Sequence, residues 1–254
     1  MKKEIPILYS TPMVQAKLAW RKTQTRRLVK QATGWGPEWA PVPIKEEHID
    51  GIKRYEMRSG TRYALPYFKC PYGQPGSLLW GRESWSPKYV KGCLHEFRIQ
   101  YPNNYPWTYF ADDVTAKAYG HGRPWRPSIH MPKEAARIWD EITGIRVERI
   151  ASISEEDCIA EGIEPVGKNC FYKNYLRTDG ATFYDPIASY RSLWQLLNGT
   201  PKLKGGRYEV YPFDEQAAQE FAGMTTWRGK PLTVITNPWV WVVESQQISV
   251  TGKP

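Results

Sequence analysis

Regular apolar patterning in this chain comes only in short pieces, separated by long stretches of proline, glycine and tryptophan. The pieces are Ile5–Leu8, Leu78–Trp85, Arg137–Ile150 and Trp239–Val243. In the third, Ile138, Ile142, Ile145, Val147 and Ile150 fall between polar residues, as in a half-buried strand. The intervening stretches, near 31–75, 88–130 and 164–236, read as insertions: 31–75 is too rich in proline and glycine for a helix, and 164–182 and 200–236 are irregular on either side of one helical segment. Strands so far apart in sequence must pair non-locally. The spacing predicts an α+β domain over residues 1–245 with five or six core strands, closed as a small mixed barrel. Residues 246–254 are expected to form a loose tail.

Helix signals are few but specific. Ser10 or Thr11 should cap a first helix with Pro12 in its first turn. Met13, Val14 and Leu18 should face inward, with Trp20 or Arg21 next on that side. Ser154-Glu155-Glu156-Asp157 reads as a capping box, with Gly162 as the stop. Asp185-Pro186 should start a third helix over Ile187–Leu197, with Trp194 and Leu197 toward the core.

Charge is localised. Of a net +9, residues 1–30 carry eight Lys and Arg against Glu4 alone, leaving +2 for the other 224 residues. Local positive charge suits a phosphate-bearing partner, or else a solvated face. The small remainder argues against a broad nucleic-acid groove. No apolar run reaches membrane-spanning length, and no secretory pattern follows Met1, so a cytoplasmic chain with no membrane partner is expected. The four cysteines, Cys70, Cys93, Cys158 and Cys170, are widely spaced and read as free thiols. Cys93 and His95 lie close, but no second ligand pair accompanies them. No metal or cofactor is expected. Twelve tryptophans offer stacking surfaces for planar bases or, more blandly, pack loops onto a core.

The sharpest motif is Trp20-Arg21-Lys22-Thr23-Gln24-Thr25-Arg26-Arg27. It resembles the signature of the ASCH domain, a relative of the PUA fold, which reads Gly-x-Lys-x-x-Glu-x-Arg after the first strand and helix. Lys22 and Arg27 hold the Lys and Arg places. Trp20 stands for Gly and Thr25 for Glu. Arg-Lys-Thr-x-Thr-x-Arg is similar to the form found in the N4-acetylcytidine amidohydrolase family, whose members are much shorter. The resemblance covers the first strand, helix and motif, Leu78–Trp85, residues 137–163 and the last strand. It implies a catalytic Lys22, Thr25 and Glu161, the last eight residues after Ile153 in a segment similar to that family's Leu-Thr-Glu helix start.

Hydrolysis of an N4-acyl amide needs a nucleophile, a base and an acid for the leaving amine. A threonine hydroxyl acts only if a neighbour takes its proton. Lysine can do so when burial or nearby cations favour its neutral form, and Arg21, Arg26 and Arg27 flank Lys22. Glu161 would orient Lys22 or carry a proton to the departing nitrogen. Candidate substrate contacts are Arg21, Arg27, Trp20, Trp80, Arg82, Glu83 and Trp85, with Trp125–Pro132 as a possible wall. The expected partner is a small modified nucleoside or base, bound by a monomer, with nucleic acid secondary. The alternative is a non-catalytic RNA- or DNA-binding module in which Lys22, Arg26 and Arg27 touch phosphates.

Overall fold

The structure is a computed structural model. It describes residues 2–36, 38–44, 52–87, 107–109, 125–167 and 171–254. Cys93, His95 and Cys170 lie outside the described residues, as does most of the stretch 88–124.

The chain is α+β, with many strands and few helices. In order come β1 (Glu4–Leu8), α1 (Thr11–Leu18), β2 (Gln24–Leu28), β3 (Ala40–Pro43), β4 (Arg54–Ser59), β5 (Arg62–Lys69), β6 (Leu78–Arg82), β7 (Trp85–Pro87), β8 (Trp107–Tyr109) and β9 (Trp139–Arg149). Then follow α2 (Glu155–Ala160), β10 (Pro165–Val166), β11 (Phe171–Lys173), β12 (Thr182–Phe183), α3 (Pro186–Asn198), β13 (Lys202–Lys204), β14 (Arg207–Val210), α4 (Glu215–Ala218), β15 (Thr226–Trp227), β16 (Lys230–Val234) and β17 (Trp239–Ser249). The largest sheet has the order β1-β6-β9-β17-β2. β1 runs parallel to β6, and β6 pairs antiparallel with β9. β17 pairs antiparallel with β2, placing Val243 opposite Thr25 and Trp241 opposite Arg27.

Three expectations change. The sheets are open, and no closed barrel forms among the described residues. The long irregular stretches build sheets of their own: β3-β4-β5 within 31–75, β10-β11-β12 and β13-β14-β16-β15 within 164–236. Apart from β4 and β5 these strands have two to five residues, too few to show periodicity, and β5 carries Pro66, which reads as a turn signal. The tail is not loose from Gln246, because β17 continues to Ser249. The Gly252 amide then donates to the Arg137 carbonyl at 3.1 Å, and Ile248 packs on the Trp80–Ala136–Trp139 cluster.

The chain clusters into two compact units, each assembled from separated segments. The first comprises Met1–Thr23, Pro75–Thr143 and Ser245–Pro254; the second comprises Gln24–Gln74 and Gly144–Glu244. In the first, Ile7, Val14, Leu79, Ile138, Trp139 and Ile142 are enclosed. β6 passes close to its neighbours at Gly81, where an added Cβ would lie 3.0 Å from the Ile138 Cβ. In the second, the run Val240–Val243 is buried, and the Tyr55 ring of β4 meets Trp241 edge-on at 4.8 Å. A fully apolar run of this kind is the signature of a strand covered on both faces.

α2 and α3 start as their capping residues dictate, whereas Ser10 stands at the N-cap of α1 without a side-chain cap bond. The Ser154 hydroxyl accepts from the Asp157 amide at 3.2 Å, and Asp185 accepts from Ile187 and Ala188. Trp194 is buried as expected, while Leu197 is 36% exposed. No helix among the described residues is long and apolar enough to cross a membrane.

Candidate active site

The motif begins at the end of α1. The Arg21 amide donates to the Ala16 carbonyl and the Trp20 amide to the Lys17 carbonyl, both at 2.9 Å. This is a Schellman ending, whose C′ residue takes the left-handed conformation. Trp20 occupies that place with φ 56°. The position explains why glycine suits the signature here, since only glycine adopts such a φ without strain. Trp20 is 57% exposed, so little packing offsets the cost. Trp20→Gly is therefore expected to stabilise the fold by about 0.5–1 kcal/mol, the strain relieved outweighing glycine's greater chain entropy. A rise in the urea midpoint at unchanged slope would register it; a fall would show that the indole contributes contacts worth more than the strain.

In the first unit, α1 carries a charged residue on its buried face. Lys17 is fully enclosed, its Nζ 2.8 Å from Asp140 Oδ1 and 3.4 Å from Ser245 Oγ. The Tyr9 hydroxyl donates to the other Asp140 oxygen at 3.2 Å. Burial raises the Asp140 carboxyl above its ordinary value, and Lys17, Tyr9 and Lys22 pull it back only in part. Lys22 itself is 1% exposed. Arg21 is half-buried.

In the second unit, β2 presents two consecutive enclosed polar residues. Thr25 is 2% exposed, and its hydroxyl has no hydrogen-bond partner among the described residues. Ser10 and Tyr55 also carry buried hydroxyls without a partner; Thr25 differs in its neighbour. The Arg26 side chain is wholly buried and gathers three carboxylates. Its Nη2 lies 2.6 Å from both Glu148 and Asp157, and its Nη1 lies 3.3 Å from Glu161 Oε1. Arg146 extends the network to Asp157, Glu148 and Glu244. Burial acts to lower the Arg26 pKa, but Glu161 and its other neighbours more than offset this, holding it above its ordinary value.

Glu161 caps the C-terminus of α2 and is 3% exposed. A carboxylate is disfavoured at a helix C-terminus; the Arg26 guanidinium answers that charge. α3 brings in Tyr190, which the sequence reading did not single out. Its phenol is held neutral, well above its ordinary pKa, first by burial and then by the charge of Glu161. Burial also pushes the Cys158 and Cys70 thiols up to about 12, which leaves both as protonated packing groups.

The structure thus sorts the candidates. Glu161 stands on the residue that follows Thr25, through Arg26, and Arg27 is half-buried with its Nη1 donating to the Arg26 carbonyl at 3.1 Å. Among the proposed stacking residues only Trp20 presents its ring to solvent. Trp80 belongs to a core cluster with Ala136 and Trp139, and Trp85 to one with Met131 and Ala135. Glu83 is fixed by the Arg137 fork at 2.8 and 2.9 Å, and the Arg82 guanidinium covers the Trp80 ring at 4.6 Å. All four are engaged within the first unit, by core packing, an ion pair or a ring contact. The wall at Trp125–Pro132 is likewise tied down: Arg126 pairs with Trp85 backbone to backbone and covers its ring at 5.2 Å.

Within the basic segment, Lys17 and Arg26 meet internal carboxylates and Lys22 is enclosed. Charge counted along a sequence does not reveal its partners. Comparisons with protein-family models, curated proteins and solved structures find no match to this chain.

Proposed function

We propose that the chain is an amidohydrolase that removes an acyl group from N4 of cytosine or cytidine derivatives. The orphan hydroxyl of Thr25 is the observation that carries this reading. A buried polar atom without a partner costs free energy, and a nucleophile awaiting substrate is one reason to retain it. The accompanying reading of the fold is an enlarged ASCH, PUA-like domain, supported by the order β1–α1–motif–β2.

In this mechanism the Thr25 oxygen attacks the acyl carbonyl carbon while Lys22, three residues earlier in the chain, takes its proton. The C–N4 bond then breaks. Glu161 shuttles the proton to the departing nitrogen, whose ring stabilises the released amine, and water hydrolyses the threonyl ester to free acid and enzyme. The alternative phosphate-binding module loses support from the enclosure of Lys22 and Arg26.

The test is ultraviolet-monitored hydrolysis of N4-acetylcytidine and N4-benzoylcytidine by the full chain with chelator present. Release of cytidine is expected. No release from either substrate would overturn the reading.

A further inference from the structure

The second unit contains a cavity of about 620 Å³ whose lining includes none of Thr25, Arg26 or Glu161. That volume falls within the usual range for small-molecule sites. Its walls come from the turn after β2, the end of β9, β14, β16 and the start of β17. Its lining is aromatic and mixed in charge, with Trp35, Trp239, Arg149, Arg207, Glu209 and Glu215. Trp35 is 40% exposed. The Arg149 guanidinium lies over the Trp239 ring at 4.3 Å, and Arg207 lines the same space from β14.

Trp35 and Arg149 are held in place before any ligand arrives. The Trp35 and Trp39 rings meet at 4.5 Å. The Trp39 carbonyl accepts from Trp239 Nε1 at 3.0 Å, which fastens the Trp35 loop to the strand that supports Arg149. Arg149 Nη1 donates to the Asn237 carbonyl at 3.0 Å. Asn237 itself is held at φ 46°, by its amide on the Pro212 carbonyl and its side chain on the Ala151 amide. A left-handed non-glycine residue fixed by bonds on both sides costs free energy, and such strain concentrates where a group must be aimed. Of the two lining carboxylates, Glu209 is engaged by Lys204 and the Tyr211 hydroxyl, while Glu215 remains as an acceptor.

We propose that this cavity is a binding site for a nucleoside phosphate, separate from the Thr25 site. The base stacks on Trp35, the phosphate meets the Arg149 and Arg207 guanidiniums, and an exocyclic amine of the base donates to Glu215. Two of these groups, Trp35 and Arg149, are already positioned, which lowers the ordering cost of binding. The nucleoside phosphate is either free or part of a single strand.

Calorimetric titration of the full chain with cytidine monophosphate, adenosine monophosphate, cytidine, inorganic phosphate and a single-stranded oligoribonucleotide tests this. The monophosphates are expected to bind at least about tenfold more tightly than cytidine or phosphate alone. Trp35→Ala and Arg207→Ala should each weaken binding by about tenfold, and both residues are exposed enough for the variants to fold. Thr25→Ala should leave binding unchanged, which separates this site from the proposed catalytic one. A tighter oligoribonucleotide with the same variant sensitivity would place the nucleotide within a strand; equal affinity would place it free. No binding of any nucleotide at millimolar concentration, or binding insensitive to both variants, would overturn the proposal.

Discussion

Thr25→Ala is expected to lower N4-acetylcytidine hydrolysis by about three orders of magnitude or more, with the fold intact. The two halves of that expectation have different sources. Activity falls because the nucleophile is removed, and Thr23, the motif's other hydroxyl, is solvent-exposed where Thr25 is enclosed. Stability holds because the Thr25 hydroxyl makes no hydrogen bond, so its removal leaves no partner stranded. A change in unfolding free energy below about 1 kcal/mol is expected. Thr25→Ser should retain part of the rate. Lys22→Met and Glu161→Gln should fall to a similar floor, and the double variants should fall little further, as for groups that act as a unit. Additive losses would contradict that mechanism, and so would a Thr25→Ala variant with near-native turnover.

The second large effect is on stability. Arg26→Met removes the one guanidinium that meets Glu148, Asp157 and Glu161 together. Breaking a buried ion pair from one side costs about 3–5 kcal/mol, because the opposite charge stays buried. Urea unfolding should show that loss, or fail to find a folded protein. Arg26→Lys keeps the charge but not the fork, and should fall between. The network also has an acid signature. Burial alone would raise Asp157, but Gln24, Arg26 and Arg146 hold it below its ordinary value of 3.8. A depressed carboxylate stabilises the fold above its unfolded pKa, and that contribution is lost as pH falls through the native value. The loss on acidification should be smaller once Arg26 is replaced. A fully stable Arg26→Met variant at every pH would contradict the assigned role.

Residues that announce themselves by local chemistry were legible in the sequence. Ser154, Asp185 and Pro12 set helix starts through contacts within three residues, and the structure has those starts. The apolar runs of β9 and β17 were legible for the same reason. The sheets within 31–75 and 164–236 were not, because their strands depend on partners and not on periodicity. β17 outran its expected end because Gln247 and Ile248 read as a polar tail until the strand they continue is known. The motif was visible as Lys22 and Thr25. Its supports were not: Lys17 and Asp140, or Arg26 and Glu148, are brought together across more than a hundred residues. Trp80 and Trp85 were read as stacking surfaces because a sequence does not distinguish an exposed indole from an enclosed one.

Rapid-quench mass mapping of the protein during turnover of N4-acetylcytidine tests the central claim most directly. The mechanism predicts a transient acetyl ester on the peptide that contains Thr25, absent from Thr25→Ala and formed at a rate no slower than cytidine release. Turnover with no acyl adduct at Thr25, or with the adduct on another residue, would contradict it.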